Sequence, residues 1–178
     1  KTPRAILIAR HIAARFGQLN GASAGGKELR EVLGEARERL KRSGERTGLF
    51  VDELHHFNKT QQDVLLPDVE EGVVTLIGAT TANPFFSLVS ALVSRSQVFE
   101  FRSLEAAEIR PLLERALADE EQGLGDCSVT ATQEALDFLS EICDGDARRA
   151  LTALEIGVRS LPAGGTFDLA VAQESIQR

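Results

Sequence analysis

Methionine, tryptophan and tyrosine are all absent from this sequence of 178 residues, so its nine phenylalanines supply every aromatic ring. The absence of Met at the start, with a helix-patterned segment directly behind Lys1, predicts one piece of a longer protein. There are only two cysteines. Cys127 and Cys143 show neither a metal-ligand spacing nor a disulfide framework, so two buried, reduced thiols are expected. No apolar run approaches the ~18–20 residues of a membrane span, and no signal-peptide pattern opens the chain. Together these absences predict a cytoplasmic protein without a membrane partner.

What is present is ordinary for a globular protein: 43% hydrophobic and 26% charged residues. The length allows one sizeable core, or a core with a small satellite domain. The net charge of −7 is unevenly spread. Residues 1–60 hold 12 basic and 7 acidic side chains, whereas residues 61–178 hold 8 and 20. A globally acidic protein is a poor blanket binder of DNA phosphate. Contacts to DNA would have to come from a local basic surface or from elsewhere in a longer protein, and composition leaves DNA binding open.

Periodicity divides the chain in two. Residues 4–15 and 25–42 read as helices, the second with Leu29, Val32, Leu33, Ala36 and Leu40 in one stripe. Phe16–Asn20 between them is short enough for a strand and ends in the turn-forming pair Asn20-Gly21. Leu49-Phe50-Val51 and Val73–Ile77 are continuous apolar runs of the kind found in buried parallel strands, and Val98–Phe101 alternates as a third. A helix is expected over 58–66 and a short one over Leu88–Val93. Strands alternating with helices predict a three-layer α/β domain with a parallel sheet. Beyond Phe101, residues 105–118, 131–143, 146–160 and 168–177 are helix-patterned, with only Cys127–Val129 strand-like. The expected division is an α/β domain over 1–102 and a small all-helical domain over 103–178.

Chemistry concentrates at the strand ends. An apolar strand that stops at Asp52-Glu53 places two carboxylates at the carboxyl edge of a parallel sheet, where open α/β folds bind ligands. A nucleotide site uses both: Asp52 for Mg²⁺ and its waters, Glu53 to polarise the attacking water. Two solvated acids opening a loop would give the same text. Lys1-Thr2 looks like the tail of a phosphate-binding loop, Lys1 reaching phosphate oxygens and Thr2 a Mg²⁺ ligand, a weak signal by itself. Thr80-Thr81 ends the next strand with hydroxyls, and a Thr there is either an ordinary strand-end residue or one that can hydrogen-bond the γ-phosphate or the attacking water. Asn83, before Pro84, is a turn residue that can also reach the site. Arg95, between Ser94 and Ser96, is either a surface arginine or a guanidinium offered to a neighbouring subunit's phosphate. Asp146 is a good N-cap, and Arg148 behind it sits unfavourably near the positive end of the helix dipole. A docked phosphate or a local salt bridge would each account for Arg148. His11, His55 and His56 show no trustworthy ligand spacing, and no zinc site is expected.

The order Lys-Thr, Asp-Glu, strand-end Thr, Ser-Arg and Gly-Asp-x-Arg is similar to the AAA+ series of Walker A tail, Walker B, sensor 1, arginine finger and sensor 2. The stretches LFVDELHHFNKTQQDVLLPDVEEGVVTLIGATTANPFF (49–86), SALVSRSQVFEF (90–101) and GDARRALTALE (145–155) resemble the RarA/MgsA family, replication-associated recombination protein A. The resemblance covers essentially the whole chain. It implies an AAA+ phosphate-loop α/β domain followed by a helical lid, and a Mg²⁺-dependent ATPase of DNA replication, recombination and repair. By the same resemblance, Lys1 and Thr2 take the Walker A roles, Asp52 and Glu53 the Walker B roles, Thr81 sensor 1, Arg95 the arginine finger and Arg148 sensor 2. It further implies ATP and Mg²⁺ as cofactors, a homo-oligomer (a tetramer) built through a domain after Arg178, DNA forks or junctions, and single-stranded DNA-binding protein as a partner.

Two departures stand out. Pro3-Arg4 replaces the family's usual hydroxyl residue and Leu, and His56 replaces a usual Arg. Pro3 biases Thr2 away from helical geometry. It motivates a second reading, a nucleotide-insensitive scaffold of the clamp-loader kind. A branch-migration motor of the RuvB type is a third.

Overall fold

A continuous apolar run is fully buried only in the middle of a covered sheet, and Leu49, Phe50 and Val51 are each at most 1% exposed. They lie in β2 (Thr47–Asp52), between β1 (Arg15–Asn20) and β3 (Val74–Gly78), and both neighbours run parallel to it. The computed structural model describes residues 15–177. The helix expected over 4–15 therefore lies outside the described residues, except that Arg15 opens β1, and Lys1, Thr2 and Pro3 lie outside as well. The chain forms two compact units, one running to Phe99 and the other starting at Glu100.

Parallel neighbours need a crossover. Helix α1 (Gly26–Ser43) supplies one between β1 and β2, and α2 (Lys59–Glu70) another between β2 and β3. The pleat sends Leu49 and Val51 into a core with Leu29, Leu33 and Ala36 of α1 and Leu65 of α2. Phe50 points the other way, against Phe16, Ile77 and Ala79. The stripe expected on α1 is the buried one, with Val32 and Leu40 at its margins.

Helix α2 runs four residues past the expected end at 66, through Pro67. Proline removes an interior N–H bond, but tertiary contacts hold the last turn. The Asp68 side chain is 1% exposed, and Arg37 on α1 grips it with Nε donating to Oδ1 at 2.5 Å and Nη2 to Oδ2 at 2.6 Å. This pairing raises the Arg37 pKa above its ordinary value, through the hydrogen bond first and charge second. At the other end, Asn58 and Gln61 form a reciprocal capping box. The buried amide of Gln62 donates to the carbonyls of Phe57 (2.8 Å) and Ser87 (3.3 Å) and accepts the Val89 N–H at 2.8 Å. It brackets two short helices, α3 (Pro84–Ser87) and α4 (Ser90–Val93), where one over Leu88–Val93 was expected.

The strand expected at Val98–Phe101 adds nothing to the sheet formed by the described residues. Alternation decides which face a side chain takes, but a strand also needs a neighbour for its backbone, and no described strand pairs with this segment.

The second unit packs α5 (Ala106–Ala118), α6 (Gln133–Ile142), α7 (Ala147–Ser160) and α8 (Leu169–Gln177) around Ile109, Leu113, Leu139, Leu154 and Phe167. It is helical apart from a two-residue parallel pair, β4 (Thr130–Ala131) with β5 (Thr166–Phe167), which is too short to leave a periodic signal. The strand-like Cys127–Val129 lies just before β4, with Cys127 ending a 3₁₀ turn. Both cysteines are free thiols, and burial pushes each pKa up. Cys143 is buried, but Cys127 is only partly so, against expectation. No helix among the described residues is long and apolar enough to cross a membrane.

Removing one partner of a buried pair strands the other charge. Asp68 is buried but Arg37 is half-exposed, so Arg37→Met is expected to lower the unfolding free energy by about 1–2 kcal/mol, and Arg37→Met with Asp68→Leu to recover most of it. Chemical denaturation checks both; equal losses in the single and double variants would contradict the account.

Candidate active site

The strands end together. Asn20 on β1 lies opposite Asp52, and Gly78 on β3 opposite Val51. Asp52 closes β2, and its Oδ1 accepts the Glu53 N–H at 3.2 Å. Glu53 then takes left-handed backbone, φ 52° and ψ 46°, and leads into a 3₁₀ turn over Leu54–His56. For a non-glycine residue this conformation costs of order 1 kcal/mol and persists only when its surroundings enforce it.

Both neighbouring strands enforce it. Ala79 donates its N–H to the Val51 carbonyl and accepts the Leu54 N–H, each at 2.9 Å, while Gly21 donates to the Asp52 carbonyl at 2.7 Å. A Cβ on Gly21 would lie 2.3 Å from the Glu53 carbonyl oxygen, and one on Gly78 would lie 2.6 Å from Leu54 Cδ2. Only glycine fits at position 21, where the obstacle is backbone, whereas at position 78 the Leu54 methyl would have to shift.

The turn delivers the Glu53 carboxylate to the end of β3. Thr81 Oγ1 donates to Glu53 Oε2 at 3.2 Å, and His55 Nδ1 lies 3.4 Å from the same oxygen. Thr80 Oγ1 sits 2.9 Å from His55 Nδ1. The side chains of Glu53 and His55 are 30% and 20% exposed, reachable but sheltered. Asp52, Glu53 and Thr81 thus share one sheet edge. A strand-end carboxylate such as Asp52 is a hard oxygen donor that suits Mg²⁺ held through waters, and Glu53 stands beside it with one oxygen oriented by Thr81.

The other expected residues are placed differently. Asn83 spends its side chain as the N-cap of α3, accepting the Phe85 N–H at 3.0 Å, and among the described residues it makes no hydrogen bond to Asp52, Glu53 or Thr81. The turn reading of Asn83 fits, and the contribution to the site is not seen. Arg95 follows α4 and turns to its own chain: Nη2 pairs with Glu70 Oε1 at 2.8 Å, and Nη1 donates to the Ala91 carbonyl at 3.1 Å. Arg148, on the second unit, is exposed on the first turn of α7, where Asp146 caps the helix by accepting the N–H groups of Arg148 (2.9 Å) and Arg149 (3.2 Å). The walls of a shallow cleft there include Arg148, Arg149, Thr152 and Ile176.

Sequence reasoning missed His55 as a partner of Thr80 and Glu53, and Glu70 as the partner of Arg95. Nothing in local spacing shows the second. For the first, the signal was present: a residue two positions past a strand-end acid returns toward it when a 3₁₀ turn follows.

No family model matches the chain. Among curated proteins it is 44% identical to replication-associated recombination protein A of Escherichia coli K12 over 156 residues, 88% of this chain and 35% of that one. It is 46% identical to an uncharacterised AAA domain-containing protein of Mycobacterium tuberculosis over 178 residues, 100% of this chain and 38% of the relative. The ATPase WRNIP1 of Dictyostelium discoideum is 39% identical over 90% of this chain and 18% of its own length. The chain belongs to the replication-associated recombination protein A family. It spans little more than a third of the first two relatives. Among solved structures, the Holliday junction branch migration motor RuvB of Thermotoga maritima superposes with a TM-score of 0.74 at 22% identity, over 99% of this chain and 57% of that one. This likeness shows the AAA+ fold alone. In this member of the family, the sheet edge carrying Asp52, Glu53 and Thr81 is built into that fold.

Gly21→Ala tests the enforced turn. The new methyl must displace the Glu53 carbonyl, so stability is expected to fall by about 1–3 kcal/mol. An unchanged denaturation midpoint would contradict the close approach.

Proposed function

We propose that this chain carries the catalytic core of a Mg²⁺-dependent AAA+ ATPase that uses ATP hydrolysis between subunits to remodel DNA at replication forks. The observation that carries the reading is the convergence of Asp52, Glu53 and Thr81 at the carboxyl edge of the parallel sheet. The names of its relatives support replication and recombination as the setting.

In this reading Asp52, with Thr2, holds Mg²⁺ through oxygen ligands, and Lys1 reaches the phosphates. Mg²⁺ held there would offset negative charge on the phosphates. Glu53 takes a hydrogen bond from the attacking water and orients it. Thr81 fixes one Glu53 oxygen and offers its hydroxyl toward the γ-phosphate. Arg148 takes the sensor 2 role, residues 103–178 form a lid domain and residues 1–102 the ATPase domain; the boundary of the compact units at Phe99 and Glu100 supports a division near there. Arg95 serves the nucleotide of a neighbouring subunit. It must first leave Glu70, and a half-exposed pair of this kind holds it by no more than about 1 kcal/mol. Fork or junction DNA, single-stranded DNA-binding protein, a tetrameric assembly and a cytoplasmic location complete the proposal, on the strength of the family alone.

In a full-length family protein carrying this sequence, Glu53→Gln is expected to keep ATP binding and lose about 100-fold or more in turnover. Undiminished hydrolysis would refute the role of Glu53. Arg95→Ala subunits are expected to be inactive alone and to regain turnover when mixed with Lys1→Ala subunits, whose Arg95 is intact. Failure to complement in the mixed assembly would refute action in trans. Glu70→Ala is expected to leave turnover at or above the parent level; a loss matching that of Arg95→Ala would make the ion pair, not its release, the active form.

A further inference from the structure

Glu53, His55 and His56 each offer a ligand atom, and these atoms lie within 4.8 Å of one another. The 3₁₀ turn that follows left-handed Glu53 brings them together, and the two imidazoles lie with centroids 4.3 Å apart and planes tilted by 35°. His55 Nδ1 and Glu53 Oε2 are 3.4 Å apart. Bonds of about 2.0–2.2 Å to nitrogen and oxygen give a tetrahedral ligand–ligand edge of about 3.4 Å. The pair is already spaced as two corners of a zinc site, and exposed His56 can rotate to supply a third.

We infer that Glu53, His55 and His56 form a binding site for a divalent transition metal of the zinc class, open to water at its fourth position. Two imidazoles and one carboxylate are a common zinc donor set and a poor one for Mg²⁺, which takes hard oxygen ligands. Thr80 can yield Nδ1 to the ion, because its hydroxyl has a second acceptor in the Ala82 carbonyl at 3.4 Å. Occupancy engages the Glu53 carboxylate and withdraws it from the water that it orients. Binding of the metal stands on geometry alone; the withdrawal of Glu53 rests on the ATPase reading above.

The test is a Co²⁺ titration of the full chain, read by the intense visible bands of four-coordinate cobalt, followed by displacement with Zn²⁺. One ion per chain is expected for the parent and for Cys127→Ser. His56→Arg, a change at an exposed position, is expected to weaken binding by about tenfold or more while its circular dichroism matches the parent. Absence of saturable binding, or equal binding in His56→Arg, would overturn the site. In the full-length protein, Zn²⁺ is expected to slow ATP turnover in the parent and not in His56→Arg. Zinc bound at one per chain without slowing the parent would overturn the competition for Glu53. A protein that hydrolyses no ATP would count against the ATPase reading, and the cobalt bands would still decide the metal site.

Discussion

Everything at the candidate site depends on how the chain leaves β2. After Val51 it must turn sharply while staying joined to both neighbouring strands, and three backbone hydrogen bonds make that possible: Ala79 to Val51, Leu54 to Ala79 and Gly21 to Asp52. Each is worth roughly 1 kcal/mol net, so together they outweigh the cost of placing Glu53 in left-handed backbone. The constraint runs in both directions. Because β1 and β3 fix the turn, they must come close enough that side chains at Gly21 and Gly78 would collide with it. An acidic side chain held this way has its direction set by the sheet, not by its own rotamer preference.

The rest of the first unit keeps that edge rigid from behind. Leu54 and Phe57, on either side of the two histidines, are buried in the core, so the 3₁₀ turn is anchored at both ends. Asn58 then caps α2, and Gln62 on its first turns bonds back to Phe57 and forward to Ser87 and Val89. The far end of α2 is held by the Arg37–Asp68 pair and presents Glu70 to Arg95. One helix therefore begins beside the carboxylates and ends at the guanidinium, and a buried amide holds the short helices between them.

Much of this was legible in the sequence because burial leaves a periodic trace. Leu49–Val51 gave the central strand and the Leu29–Leu33–Ala36 stripe gave the face of α1. Asp146 announced the start of α7, since helix caps are local chemistry. The failures share a cause. The helix expected over 58–66 runs on to Glu70, and only the distant Arg37 reveals why it continues. Val98–Phe101 alternates like a strand, yet pairing is a property of neighbours. His55 was read only for ligand spacing, and its return to Glu53 through the 3₁₀ turn was missed. Residues that act through their own neighbours were readable, and those that act through a partner elsewhere in the chain were not.

The sharing of one carboxylate oxygen bears on what Glu53 can do. Thr81 and His55 both approach Oε2, the hydroxyl donating at 3.2 Å and the imidazole standing at 3.4 Å. A carboxylate has about four lone-pair positions, so a hydrogen bond to one oxygen fixes the plane of the group without exhausting it. Oε1 is then the oxygen left to accept from a water, and its orientation follows from where Thr81 holds Oε2. Thr81 on this view need not touch a phosphate to matter, because it converts the position of the β3 tip into the angle of the base. Any ligand that moves that tip changes the angle of this carboxylate, and a group that takes Oε2 more strongly than a threonine hydroxyl resets it.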